Sequence, residues 1–236
     1  NATLTITNAP NVTQLKTINA GTAGSITLND PSGALSGSSG DLAAAFSGTV
    51  TEHTGTIAIT NNDYSVADLK TINAASTGDI TFTTTDRALS GSSGDLATAF
   101  DGTTNHSATL TVTNADYTAV QLQAINNGAG GAITLDTTNT GISGTAAVLA
   151  EALAGSIDHD GTVTVTNAPN VTQLKAINDG AGGAITLQVV SGALSGSSGD
   201  LVSAFAGTVT QHTGTVQITN ADYNLDQLIA INAATT

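Results

Sequence analysis

The sequence predicts an α/β solenoid: a right-handed coil of parallel β-strands with short helices on the opposite face, built on a 53-residue double-coil repeat. Three observations predict it. First, the stretch Thr3 to Asn8 returns at 57–61, 109–114, 162–167 and 215–220, and its closing residues Asn8, Asn61, Asn114, Asn167 and Asn220 stand 53 residues apart. A fixed period of that length marks an array in which each unit buries its apolar face only against its neighbours. Second, each unit divides into two similar halves, each a strand followed by a short helix. Third, strand starts fall alternately about 22 and 31 residues apart, too long for hairpins and right for crossovers through a helix, so the strands are expected to be parallel. The chain is thus one array over 1–236, with units 1–54, 55–107, 108–160 and 161–213 and a partial unit 214–236.

The first half opens on alternation. Leu4 and Ile6 face one way and Thr3, Thr5 and Thr7 the other, which is the period of a strand. Asn8 to Asn11 is a turn, and Val12, Leu15 and Ile18 then recur at the spacing of one helix face. The turn has two spellings. Units one and four carry Pro10 and Pro169, which fix φ near a helix start, and the others carry Asp63, Asp116 and Asp222, read as N-caps beside Tyr64, Tyr117 and Tyr223. The helix closes at Asn19, Asn73, Asn126, Asn178 and Asn232, where Asn and the following Gly-bearing turns tolerate the left-handed conformation. This Asn column reads either as a ligand site or as a ladder bonding the backbone of the next coil.

The second half begins with another strand: Ile26 and Leu28, Ile80 and Phe82, Ile133 and Leu135, Ile185 and Leu187. A loop leads to the Leu-Ser-Gly-Ser-Ser-Gly-Asp segments at 35–41, 89–95 and 194–200, replaced in unit three by a variant from Ile142 to Val148. Their Ser and Asp are N-cap candidates for a second helix with apolar faces Leu42 and Phe46, Leu96 and Phe100, Leu149 and Leu153, Leu201 and Phe205. Gly48, Gly102, Gly155 and Gly207 end it, and a loop carrying a His returns the chain to the next unit. Nine stacked strands would give a face of roughly 40 Å. Thr5, Thr27, Thr81, Thr111, Thr134, Thr164 and Thr186 would run down it, broken by Ala58 and Gln217 and flanked by Asp79 and Asp136.

Composition narrows the function classes. The net charge of -14, from 18 acidic and 4 basic residues, repels phosphate and so argues against nucleic-acid partners. Acidic turns suit hard cations, and calcium is the cofactor they point to. There is no Cys, hence no disulfide or thiolate metal site, and no run of apolar residues suits membrane insertion. The chain begins at Asn1 and stops partway through a unit, so it reads as a mature or excised piece.

The segments 120–126, 131–135 and 142–149 carry a resemblance. They resemble tandem repeats of very large secreted bacterial proteins of the cyanobacterial type, surface or adhesin-like. The resemblance extends over every unit. It implies an extracellular surface or fibre protein and transfers no catalytic residues. The calcium-binding nonapeptide often found beside such repeats is not matched, and 128–136 is only a loose echo of it.

Several residues invite chemistry. His53, His106, His159 and His212 recur at 53-residue steps, and a His column suits transition metals. Successive copies two strand spacings apart, about 9 to 10 Å, are too distant to share an ion. Their neighbours vary: Glu52, Asn105, Asp158 with Asp160, and Gln211. The candidate metal site is therefore Asp158, His159 and Asp160, with oxygen ligands for calcium. The bland reading of the column is a turn whose polar groups satisfy the loop. The turn Asp residues read as caps or as calcium ligands between coils. The Thr column reads as an exposed strand face or as an ordered-water, ice-binding array. Lys16, Lys70 and Lys175 share one helix position and read as a solvated face, and Arg87 and Glu151, which depart from the repeat, do not cluster. Asn11 and Asn170 begin glycosylation-type triplets. No Ser/His/Asp constellation stands out, so the chain is not expected to be an enzyme. The expected function is a structural segment of an extracellular surface, fibre, S-layer or adhesin-type protein, assembling with itself end to end or as part of a longer array. The alternative is a binding module for calcium, glycan or ice.

Overall fold

The computed structural model describes residues 2–84, 87–102, 106–135, 141–155 and 157–236. Short parallel strands alternate with short helices throughout. The first unit runs β1 (Leu4–Ile6), α1 (Val12–Ala20), β2 (Ile26–Leu28), β3 (Leu35–Gly37), α2 (Ser39–Phe46). The second repeats it as β4 (Ile57–Ile59), α3 (Val66–Ala74), β5 (Ile80–Phe82), β6 (Leu89–Gly91), α4 (Ser93–Phe100). The third is β7 (Leu110–Val112), α5 (Ala119–Gly128), β8 (Ile133–Leu135), β9 (Gly141–Gly144), α6 (Ala146–Ala152). The fourth is β10 (Thr162–Val165), α7 (Val171–Gly180), β11 (Ile185–Leu187), β12 (Leu194–Gly196), α8 (Ser198–Ala204), and β13 (Val216–Ile218) and α9 (Leu225–Ala233) follow. Packing divides the chain into one unit of Asn1–Val112 with Asn127–Ala132 and another of Thr113–Asn126 with Ile133–Thr236.

Among the described residues every ladder is parallel, as the crossover lengths predict. In the first of these packing units β1 pairs with β2, β4 lies between β3 and β5, and β6 pairs with β7. In the other packing unit β10 lies between β9 and β11, and β12 pairs with β13. The Leu-Ser-Gly segments, placed in sequence only as the lead-in to the second helix, are therefore strands. Leu35 is buried while Ser36 faces out, and their backbone pairs in register with Ile57 and Ala58. Gly37 suits this place because a Cβ there would lie 3.3 Å from a methyl of Val12. The expected single ladder alternating two strand types is accordingly replaced by ladders of two and three strands, and β2 does not pair with β4.

The helices are bounded by local chemistry. The first-half helices α1, α3, α7 and α9 carry capping boxes, formed by Asn11 with Gln14, Ser65 with Asp68, Asn170 with Gln173, and Asn224 with Gln227. Thr118 and Gln121 make the same exchange at α5. Asp63, Asp116 and Asp222 are not the N-caps. The cap falls two residues later, where a short side chain meets the third helical N–H. The second-half helices α2, α4, α6 and α8 are capped by Ser38, Ser92, Thr145 and Ser197, as expected. After them the chain reverses through Gly48, Gly102, Gly155 and Gly207, whose φ values of 81°, 106°, 79° and 71° a side chain would strain. Among the described residues no non-Gly residue has positive φ, so the Asn column does not close its helices in the left-handed conformation.

The core follows the predicted periodicity. Leu15, Leu69, Leu122 and Leu174 on the first-half helices and Leu42, Leu96, Leu149 and Leu201 on the second-half helices are buried, with Ile57, Ile59, Leu110, Val112, Val163 and Val165 from the strands. Leu4 departs, at 43% exposure, where its copies Ile57, Leu110 and Val163 are fully covered.

Candidate functional site

Residues 157–160 run extended. His159 donates its N–H to the Gly180 carbonyl at 3.1 Å and accepts from the Gly182 N–H at 2.8 Å. Successive side chains of an extended segment point to opposite faces, so Asp158 and Asp160 lie exposed on one side and His159 is buried on the other. The two carboxylates lean over one spot: a Cβ on Gly182 would lie 3.1 Å from an Oδ1 of each. The imidazole faces away from them. Its Nδ1 is 2.9 Å from the Tyr117 hydroxyl, in an edge-on contact with that ring. The structure thus brings Asp158 and Asp160 together and separates His159 from them. Among the described residues no group of three or more His, Cys, Asp or Glu is placed to hold a metal ion.

The other histidines occupy the same place. His53, His106 and His212 are buried, and each bridges the turn after a first-half helix, at Ser76, Ala129 and Thr235. His53 packs on Phe46, His212 on Phe205, and His106 among Tyr64, Phe82 and Phe100 with Nε2 3.0 Å from the Arg87 carbonyl. Their sequence neighbours Glu52 and Gln211 are exposed on the opposite side, and Asn105 lies outside the described residues, as does Asp136. Burial holds the His53 and His212 imidazoles below the ordinary range, with the Gly192 backbone opposing this at His212. Burial does the same at His159, against the opposing pull of the Thr162 backbone and of Asp160 and Asp158. These are neutral core imidazoles, fit for packing and unready to deliver protons at the surface.

The recurring asparagines are structural connectors. Asn19 donates its amide N–H to the carbonyls of Ala44 and Ser47 at the end of α2, at 2.9 and 2.6 Å. Asn73 does the same for Thr98 and Asp101 at α4, Asn126 for Glu151 and Ala154 at α6, and Asn178 for Ser203 at α8. The strand-closing asparagines serve the other end. Asn61, Asn167 and Asn220 accept the first helical N–H of α2, α6 and α8, from Ser39, Ala146 and Ser198, each at 2.7 Å. Orphan N–H and C=O groups at both helix ends thereby find partners in adjacent coils. The turn Asp residues steady this arrangement. Asp63, Asp116 and Asp222 accept from the amides of Asn61, Asn114 and Asn220, and those bonds hold each carboxyl below the usual range.

The lysine column pairs and is not merely solvated. Lys16 meets Asp41, Lys70 meets Asp95 and Lys175 meets Asp179, all half-exposed. On the outer sheet face Thr5 stands beside Thr27, Ala58 stands between Ser36 and Thr81, and Thr164 stands between Ser143 and Thr186. Serines from the strands that sequence reading missed thus interleave the expected Thr column. Asn11 and Asn170 are N-caps with their Oδ1 engaged. The connector role was legible in the 53-residue recurrence of Asn, but its geometry needed β3 and its copies to be recognised as strands. No helix among the described residues is long and apolar enough to cross a membrane. No family model matches the chain, and no curated protein matches it.

Proposed function

We propose that the chain is a structural repeat segment: a right-handed α/β solenoid of 53-residue double coils, belonging to an extracellular surface, fibre, S-layer or adhesin-type protein. It assembles end to end or continues within a longer array. The observation that carries this reading is the destination of the recurring polar residues. Asn19 and Asn61, with their copies, hold the ends of neighbouring helices, and His53 and its copies fill the core. A repeated residue that bonds the next coil is selected by the coil and not by a substrate, so the chain works without catalysis. The resemblance to secreted bacterial repeats supports an exterior location.

Electron micrographs of the protein at rising concentration test the architecture, with thin rods joining end to end as the expected result. Compact isolated globules at every concentration would contradict it. Immunogold labelling of the intact cells that make the protein tests location: label is expected on the outer surface, and label confined to the interior would count against it.

A further inference from the structure

The two spellings of the first turn change what the buried histidines meet. Units two and three carry Tyr64 and Tyr117 and close with His106 and His159, whereas units one and four carry Pro10 and Pro169 and close with His53 and His212. The Tyr117 hydroxyl lies 2.9 Å from His159 Nδ1, and the Tyr64 ring stands edge-on to His106. Proline supplies neither ring nor hydroxyl. His53 Nε2 and both ring nitrogens of His212 are buried without a hydrogen-bond partner, while at His159 only Nε2 is left so. His53 lies on a tight hollow lined by Pro10, Leu15, Leu28, Asp30, Gly33 and Leu35, with no room for a water molecule. Phe46 of α2 and the backbone of Ala75 to Thr77 complete its surroundings. Asp30 is the one charged residue among these. It is exposed, and its carboxylate accepts from the Ser32 N–H and hydroxyl at 3.3 and 2.8 Å. Glu52 is exposed on the opposite side of the segment.

We infer that Pro10 and His53 form an acid-released latch: charging the His53 imidazole opens its bridge to Ser76, whereas His159 is charged in place. A tyrosine hydroxyl donates to a neutral ring and accepts from a charged one, so Tyr117 serves His159 in both states. Burial opposes charge at His159, and the Thr162 backbone and the carboxylates of Asp160 and Asp158 favour it. At His53 burial acts alone. An imidazolium there has neither acceptor nor water, and opening the segment relieves it. The same residue ties two coils together. Its N–H donates to the Ala75 carbonyl at 2.8 Å, and its carbonyl accepts from the Thr77 N–H at 2.8 Å and the Ser76 hydroxyl at 3.1 Å. Opening it therefore parts neighbouring coils, and the two spellings place acid-labile and acid-tolerant coils in one chain.

Amide hydrogen exchange on the full chain at pH 7.5 and pH 5.5 tests this, with rates expressed as protection factors so that the intrinsic effect of pH cancels. The reporters are the amides that close each bridge, Thr77 for His53 and Gly182 for His159. Two pH units across the ordinary imidazole value allow about a tenfold rise in the open population. Protection at Thr77 is expected to fall by about tenfold, and at Gly182 by less than about threefold. His53→Gln cannot take the proton and is expected to hold Thr77 steady. Tyr117→Phe keeps the ring and removes the hydroxyl, and is expected to make Gly182 fall as Thr77 does. Because phenylalanine fills the place of tyrosine, that variant tests the inference even where the glutamine variant does not fold. Equal falls at both bridges of the wild type, a Thr77 amide indifferent to pH, or a fall that persists in His53→Gln overturns the latch. A Gly182 amide unmoved by Tyr117→Phe overturns the part given to the hydroxyl, and with it the contrast between the two spellings.

Discussion

The two kinds of helix look alike in sequence pattern and are held in different ways. First-half helices such as α1 and α3 close their own N-termini with capping boxes. Second-half helices such as α2 receive help at both ends from adjacent coils: Asn61 takes the first N–H, Asn19 takes the last carbonyls, and His53 packs on the terminal Phe46. The first class closes its N-terminus with a reciprocal box of its own, whereas the second adds to a single Ser or Thr cap the partners that neighbouring coils supply. A residue that recurs at every unit can thus be a connector, and its recurrence then reports geometry and not chemistry.

The largest effect expected to expose this dependence is acid. Burial holds the imidazoles of His53, His159 and His212 below their ordinary 6.5. As pH falls the unfolded chain takes up protons first, so stability is full at neutral pH and drops below about pH 6.5, by up to about 1.4 kcal/mol per pH unit for each His. The exposed Asp158 and Asp160 soften the loss at His159. Urea denaturation at pH 7.5 and at pH 5.5 measures it. A midpoint that does not move would show that these imidazoles are not buried neutral.

Next in size are the connectors. Asn61→Ala removes the acceptor for the Ser39 N–H and the donor to Asp63, and is expected to cost about 1–3 kcal/mol. Asn11→Ala removes only a self-made cap at α1, at a cost of about 1 kcal/mol. Denaturation midpoints of the two variants sharpen the comparison, and the reverse order would break it. The smallest effect is at Lys16. Its pair with Asp41 is half-exposed, and Lys16→Ala is expected to cost less than about 1 kcal/mol, an effect that added salt should shrink further.

Much of the fold was legible because it is written in periods. The alternation at Ile57 and Ile59 and the helical spacing of Leu15 placed strands, helices and core, and the crossover lengths placed the strands parallel. The strands Leu35–Gly37 and their copies were not legible. Three residues ending in Gly look like a turn, and only the pairing with Ile57 to Ile59 and the methyl groups of Val12 make them a strand. The cap readings at Asp63, Asp116 and Asp222 failed for a related reason. Asp63 and Ser65 are both good capping types two residues apart, and the register of the helix decides between them. At the candidate site, the sequence grouped Asp158, His159 and Asp160 by adjacency, whereas an extended backbone sends adjacent side chains to opposite faces.

Amide hydrogen exchange on Asn61→Ala tests most directly the claim that second-half helices are held from outside. The Ser39 amide and the first turn of α2 are expected to exchange roughly 5- to 150-fold faster, the equivalent of about 1–3 kcal/mol, while α1 keeps its protection. Unchanged exchange at Ser39, or an equal loss across α1 and α2, would contradict it.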